Sequence, residues 1–400
     1  MNRSIQGYII PFSAAVMLTF QRNGLLYFNE IYTLFDLIIN YCVSGVALFL
    51  FIRQIYGGKY ILISRKDIPF IVLLVWIIFI ISLSYLGNSS IYTFTFNQSA
   101  IISCIIAIIL GLGIKPSDFS RLRRSLIILS AIFSILVLIY VPSDIFLLSK
   151  KISIDSDIRI GSKVSASMLI VLPRALYTLV LAGLGSFIIE KKYIVKFFSI
   201  LVIIIPLIIA FGTAGRGGLL GFFSGVIIFI VGIFNLNKSN KKYIYLFYFI
   251  IILLSFYFIY LQIEDYFPIL YNRVLYGNDS GRYEIWNDLI NIKLSLIGYG
   301  PLFYPHNPFL EMVINYGIIG FILFIIFVIN SLFNTVKLLS LNKDIDLLFV
   351  VVIVTFQFVS QQFSLDIFYS SFCLAMAVFS RLNLKMYNNK FVIFSRHRSI

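Results

Sequence analysis

The feature that most constrains this chain is the recurrence of long apolar stretches along its length, separated by short polar connections. A hydrocarbon core of about 30 Å is crossed by roughly 20 residues of helix, because each residue rises about 1.5 Å. In lipid a backbone must satisfy its own N–H and C=O groups, so repeated stretches of this kind build a helical bundle. Composition agrees, with 60% hydrophobic residues, 12% charged residues and a mean hydropathy of +0.97. The expectation is an all-α integral membrane protein of about twelve transmembrane helices, forming a single polytopic domain over residues 1–400.

Windows of roughly 17 to 25 residues place the spans at 8–20, 34–51, 68–86, 96–114, 126–141, 166–189, 194–211, 217–234, 243–261, 309–328, 347–360 and 367–379. Arg3 precedes the first stretch and no small-residue cleavage pattern follows it, so it reads as a retained span. A net charge of +15 would suggest nucleic acid in a soluble protein. Here the basic residues sit in short runs between apolar segments, which reports topology and argues against a nucleic-acid partner.

The runs fall on alternate connections. One set holds Arg3, then Arg53, Lys59, Arg65 and Lys66, then Lys115, Arg121, Arg123 and Arg124. It continues with Lys191, Lys192 and Lys196, Lys238, Lys241 and Lys242, Lys337 and Lys343, and the basic tail from Arg381. Excess Lys and Arg marks the cytoplasmic side, which puts both termini inside and the connections 142–163 and 262–308 outside. The loop 262–308 is long enough to carry structure of its own, and loops of that length are usually functional.

Cys42, Cys104 and Cys373 lie in apolar stretches at unrelated spacings, so neither a disulfide framework nor a metal site is read. No Walker A pattern, zinc helix motif or serine nucleophile elbow is present. No cofactor is expected.

Three outer positions could carry chemistry. Arg216 lies in GTAGRGG, residues 212–218, at the outer boundary. Glycines there admit close approach of a ligand, and a guanidinium offers a planar fork for phosphate. A snorkelling arginine at a helix end has the same sequence, and Gly217, Gly221 and Gly225 at four-residue spacing also suit close helix packing. Within the long loop, residues 279–297 read as an amphipathic helix with a stripe of Ile285, Leu289, Ile292 and Leu296. Arg282 falls in its first turn, where free N–H groups and a cation together suit an anion. Pairing with Glu284 is the bland alternative.

Third, GYGPLFYPHNPFLE, residues 298–311, contains His306. Asn307 before Pro308 is a good helix start, N-cap then proline at the first position, which sets His306 just outside the next span. An imidazole of pKa near 6.5 can take a proton from a hydroxyl at neutral pH. It could equally be an interfacial histidine that only packs. Glu311, in the first turn, could orient His306 or favour the helix N-terminus. Arg174, beside Pro173 in an apolar span, marks a polar cavity and a second phosphate contact. Asp155 and Asp157 resemble paired metal-holding carboxylates, but the pattern is too short to carry weight.

Taken together, GTAGRGGLLGF (212–222), SGRYEIWNDLI with a following GYG (280–300) and PHNPFLEMVINYGIIGF (305–321) resemble the bacterial O-antigen ligase and polymerase superfamily. The N-terminal half is similar only in its many spans and in RIGS at 159–162. The resemblance implies a glycosyltransferase of the bacterial inner membrane, metal-independent and inverting, whose site faces the periplasm or cell exterior. It implies an undecaprenyl-pyrophosphate-linked oligosaccharide as donor, with Arg216 and Arg282 on the pyrophosphate and His306 on the acceptor hydroxyl. Arg174, Arg159, Asn307 and Glu311 are the further substrate-binding candidates. The lipid bilayer, a chain-length regulator and a flippase are the implied partners. The leading expectation is a polymerase of surface-polysaccharide repeat units, with an O-antigen ligase acting on lipid A core as alternative and a glycolipid transporter or flippase behind both.

Overall fold

The computed structural model describes residues 8–20, 45, 49, 65–87, 98–140, 168–212, 216–236, 287–289, 291–301, 307–342, 344–362 and 370–383. Among them the fold is all-α. In chain order the helices are α1 (Ile9–Phe20), α2 (Ile68–Gly87), α3 (Gln98–Gly113), α4 (Phe119–Tyr140) and α5 (Met168–Ile189). They continue as α6 (Tyr193–Gly212), α7 (Arg216–Leu236), α8 (Pro308–Asn315), α9 (Gly317–Leu341), α10 (Ile345–Gln361) and α11 (Ser370–Arg381). Four helices are long and apolar enough to cross a bilayer, or up to five if the pair Ser103–Gly113 and Pro116–Leu129, bent by 100°, is one span. The expected spans at 34–51 and 243–261 lie outside the described residues, apart from helical Gly45 and Phe49.

The bundle is organised around α5, whose residues 173–186 are all buried. It packs along α6, while α7 packs along α10 and α3 along α11. Facing outward, α6 exposes Ile194, Phe197, Leu201, Ile204 and Ile208, and α9 exposes Ile322, Ile326, Ile329, Phe333 and Val336. Apolar stripes at helical spacing on the outside of a bundle need a hydrocarbon solvent. The protein is a membrane protein.

Glycines set the closest approach. A Cβ at Gly221 on α7 would stand 2.8 Å from Ser360 Cβ and 2.9 Å from the Phe356 carbonyl oxygen on α10. With Gly225, which faces Leu181 and Val352, this bears out the packing face expected from the four-residue spacing.

One end of the bundle is held by ion pairs. Arg123, on the first turn of α4 and only 2% exposed, donates from Nε to Asp346 at 2.9 Å and sits 3.0 Å from Glu190. Its Nη1 also donates to Ser186 Oγ at 3.0 Å. Arg381, at the end of α11, pairs with buried Asp67 at 3.4 Å, and Lys66 donates to Asn334 at 2.8 Å. These contacts gather the starts of α4 and α10, the ends of α5 and α11, and the residues just before α2. That is the sharing of ends required by antiparallel traversal of the apolar segments, and the residues belong to the basic connections or border them.

Two expectations are corrected. The span at 309–328 is two helices, because the chain breaks at Tyr316 (φ −112°, ψ 2°), leaving an eight-residue α8 and a 25-residue α9. The amphipathic helix over 279–297 does not run to its expected end. Residues 287–289 are helical, but 291–300 are not, and Leu294, Leu296 and Ile297 are exposed. Residues 295–300 instead pair backbone to backbone with the break before α9: the Ser295 and Leu296 carbonyls accept from the amides of Ile318 and Ile319, and the amides of Tyr299 and Gly300 donate to the Ile314 and Asn315 carbonyls, which commits this stretch to tertiary rather than helical bonding.

Candidate functional site

At the end of the bundle opposite the ion pairs, hydrogen-bonding side chains among the described residues gather around a buried arginine. Arg174 stands one residue past Pro173 in α5 and is fully buried. Its Nη1 donates to Gln361 Oε1 at 2.6 Å and its Nη2 to the Ser360 carbonyl. A buried guanidinium is tolerable only when its N–H groups find acceptors, and carbonyls in the last turn of a helix can serve because they lack i+4 partners within that helix. One turn along α5, Thr178 donates to the Arg174 carbonyl at 2.8 Å and accepts from Gln357 at 3.2 Å. The result is a polar seam joining α5 to α10.

This seam was legible only in part. Gln357, Ser360 and Gln361 recur at i, i+3 and i+4 on an otherwise apolar segment, which puts them on one helical face. None of the three is ionisable, so the pattern carries no charge to mark it as a site.

Arg216 is the first residue of α7, so only residues 213–215 separate it from the end of α6. The position of its helix start is fixed by its neighbours. Gly218 lies against Tyr177 and Pro173 on α5, and Gly221 against Ser360 and Phe356 on α10. The N-terminal turn of α7 is therefore at the same end as Arg174, and the free N–H groups of that turn carry the positive end of the helix dipole.

Asn307 reaches this end from the other side. Its Oδ1 accepts from the Phe309 and Leu310 amides at 2.9 and 3.2 Å, an N-cap with Pro308 in the first turn, as the sequence predicts. Its Nδ2 donates to the Gln362 carbonyl at 3.2 Å, beside the acceptors of Arg174. Glu311 is 2% exposed, and its amide donates to the Asn307 carbonyl at 2.9 Å. His306 precedes the cap by one residue. His306, Arg282 and Arg159, together with Asp155 and Asp157, lie outside the described residues. Among the described residues no cluster of three or more His, Cys, Asp or Glu could hold a metal ion.

The segments that hold the start of α7 and the cap at Asn307 also carry a recognisable family pattern. Residues 201–325 match the family model described as O-antigen ligase. Over that segment, about a third of its length, the chain is similar to the O-antigen ligase family. No curated protein matches it. The matched segment contains Arg216, Arg282, His306, Asn307 and Glu311, whereas Arg159 and Arg174 precede it.

Proposed function

We propose that the protein is a polymerase of surface-polysaccharide repeat units, working on an undecaprenyl-pyrophosphate-linked donor at the outer face of the bacterial inner membrane. The observation that carries this reading is the meeting of the α7 start, Arg174 and the Asn307 cap at one end of the bundle, opposite the ion-paired end. The basic connections support a cytoplasmic position for the ion-paired end under the positive-inside rule, and in this reading the other end faces out.

In the reaction the acceptor sugar hydroxyl attacks C1 of the donor glycan with inversion. The bond between C1 and the pyrophosphate oxygen breaks, and its electron pair leaves on the lipid pyrophosphate. His306 takes the hydroxyl proton. Arg216, at a helix N-terminus, and Arg282 carry the charge that grows on the leaving oxygen, which is electrostatic stabilisation by fixed donors. Arg174, whose two terminal nitrogens are already used by α10, sets the frame for that site. Asn307 and Glu311 fix the first turn beside His306, and Arg159 remains a candidate contact to the glycan. No metal is required in this scheme.

Substitution of Arg216 or His306 by alanine in the producing cell should reduce surface glycan to single repeats. Unchanged long chains would sink the reading. A ligase is the second reading, favoured by the description of the matched family. A deletion strain separates them: polymerase loss leaves one repeat on the acceptor, while ligase loss leaves the acceptor bare.

A further inference from the structure

The break between α8 and α9 and the segment before it hold one another by backbone. Tyr299 N–H donates to the Ile314 carbonyl at 3.1 Å and Gly300 N–H to the Asn315 carbonyl at 2.8 Å, while Ile318 and Ile319 donate to Ser295 and Leu296 at 3.0 and 3.2 Å. The crossing point is Gly298 against Gly317, with φ of +80° and +74°, where a Cβ on either would collide with backbone atoms of the other. Residues 295–300 therefore share the level of the end of α8 and the start of α9.

Helix α2 fixes that level. It runs antiparallel to α9: Lys66, just before α2, donates to Asn334, the rings of Phe70 and Phe327 have centroids 5.3 Å apart, and Trp76 donates from Nε1 to the Tyr316 carbonyl at 3.0 Å. The 20 residues of α2 make about 30 Å of helix, the thickness of a hydrocarbon core. Trp76 stands about 12 Å from its start at Ile68, and the largely apolar run 77–86 continues about 15 Å further, exposing Ile78, Phe79 and Leu83. The crossing thus lies beside the middle of a helix long and apolar enough to cross the bilayer, and not beyond its outer end.

The side chains and backbone of the segment suit that depth. Leu294, Leu296 and Ile297 are 56%, 65% and 49% exposed on a stretch that is not helical. They stand beside the first turns of α9, where exposed Ile319 and Ile322 begin the outward apolar stripe. Non-helical backbone at hydrocarbon depth is tolerated where its polar groups pair within the protein. Besides the pairs at the crossing, the Lys293 carbonyl accepts from the Tyr299 hydroxyl, and the Asn291 and Ile292 amides donate to the Asn287 and Leu289 carbonyls. Lys293 is exposed, and its long apolar stem lets the ammonium reach the interface.

We propose that residues 294–299 are a membrane-inserted segment whose Leu294, Leu296 and Ile297 dock against phospholipid acyl chains, in the leaflet away from the basic connections. The connection 262–308, external by the sequence pattern, re-enters the bilayer near its end. The test uses the full chain in bilayer nanodiscs, with one cysteine introduced at a time and a membrane-impermeant maleimide. Leu296→Cys and Ile297→Cys should label slower than Lys191→Cys, an exposed position in the α5–α6 turn, by at least about tenfold, because the reactive thiolate does not form in hydrocarbon. All three should label alike in SDS. The wild-type chain, with Cys42, Cys104 and Cys373, supplies the background rate. Labelling of Leu296→Cys and Ile297→Cys as fast as Lys191→Cys overturns the proposal.

A second measurement needs no thiol and decides alone if a cysteine variant fails to elute with the wild-type protein. Leu296→Trp is compared with the wild-type chain, which has two tryptophans, in nanodiscs whose phospholipid acyl chains are brominated and which hold no polyprenyl carrier. The added emission should be quenched. Unquenched emission overturns the insertion. Emission that ignores brominated phospholipid but changes when polyprenyl phosphate is added makes a carrier chain the occupant and overturns the assignment to acyl chains.

Discussion

Asn307→Ala removes two identified interactions from the first turn of α8. The cap, in which Oδ1 accepts from Phe309 and Leu310, is worth about 1 kcal/mol. The Nδ2 bond to the Gln362 carbonyl adds roughly another 1 kcal/mol net, as for a neutral hydrogen bond. An eight-residue helix is marginal by itself, because nucleation is costly and few bonds follow it. A local loss of about 2 kcal/mol should therefore appear as an opening equilibrium raised about 30-fold at that turn. Amide hydrogen exchange in nanodiscs reads this directly, with residues 309–312 accelerated and α9 unaffected. Asn307→Asp separates the two contributions: it keeps the acceptor for the cap but cannot donate to Gln362, so about half of the loss should remain, an opening raised about 5-fold. Unchanged exchange over 309–312 in Asn307→Ala would refute the cap argument.

Other perturbations act elsewhere. Arg123→Ala strands Glu190 and Asp346, whose side chains are 19% and 24% exposed. Breaking a fully buried pair costs 3 to 5 kcal/mol, and their partial exposure reduces this to about 2 to 3 kcal/mol. Thermal denaturation should register that loss, while glycan transfer by the folded fraction stays near wild type because the proposed site is at the far end. Gly221→Leu drives a side chain into Ser360 and the Phe356 carbonyl; overpacking of about 1 to 3 kcal/mol or more should part α7 from α10, lowering transfer, with Gly221→Ala affected less. Equal transfer by both variants would show that the contact does not set the position of Arg216.

What the sequence disclosed depended on how local the cause was. The Asn307 cap and Pro308 start were readable because capping involves only neighbouring residues. Helix ends followed hydropathy closely at α5, expected at 166–189 and observed as Met168–Ile189. The start of α4 was placed at 126 but lies at Phe119, because Arg121, Arg123 and Arg124 depress the hydropathy of a turn whose arginines are largely paired with Asp118, Glu190 and Asp346. Those partners were out of reach: Arg123 and Asp346 are 223 positions apart. The break at Tyr316 was missed for the same reason. A hydropathy window sees 309–328 as continuous, whereas the interruption comes from pairing with residues 295–300. Gly298, Gly300 and Gly317 were visible as letters, but their positive φ belongs to the tertiary crossing. Arg216 can be assigned to a helix boundary from its glycines, yet that its helix starts at the same end as Arg174 follows only from the packing of α5, α7 and α10.

The most direct test of the central claim is a single-turnover measurement on purified protein in nanodiscs, with an undecaprenyl-pyrophosphate-linked oligosaccharide as both donor and acceptor. The account predicts that the wild-type chain joins two repeats and releases lipid pyrophosphate, and that Arg216→Ala slows the joining at least 100-fold, the scale of a lost transition-state donor. Joining at the wild-type rate by Arg216→Ala, or no joined product from the wild-type chain, would contradict it.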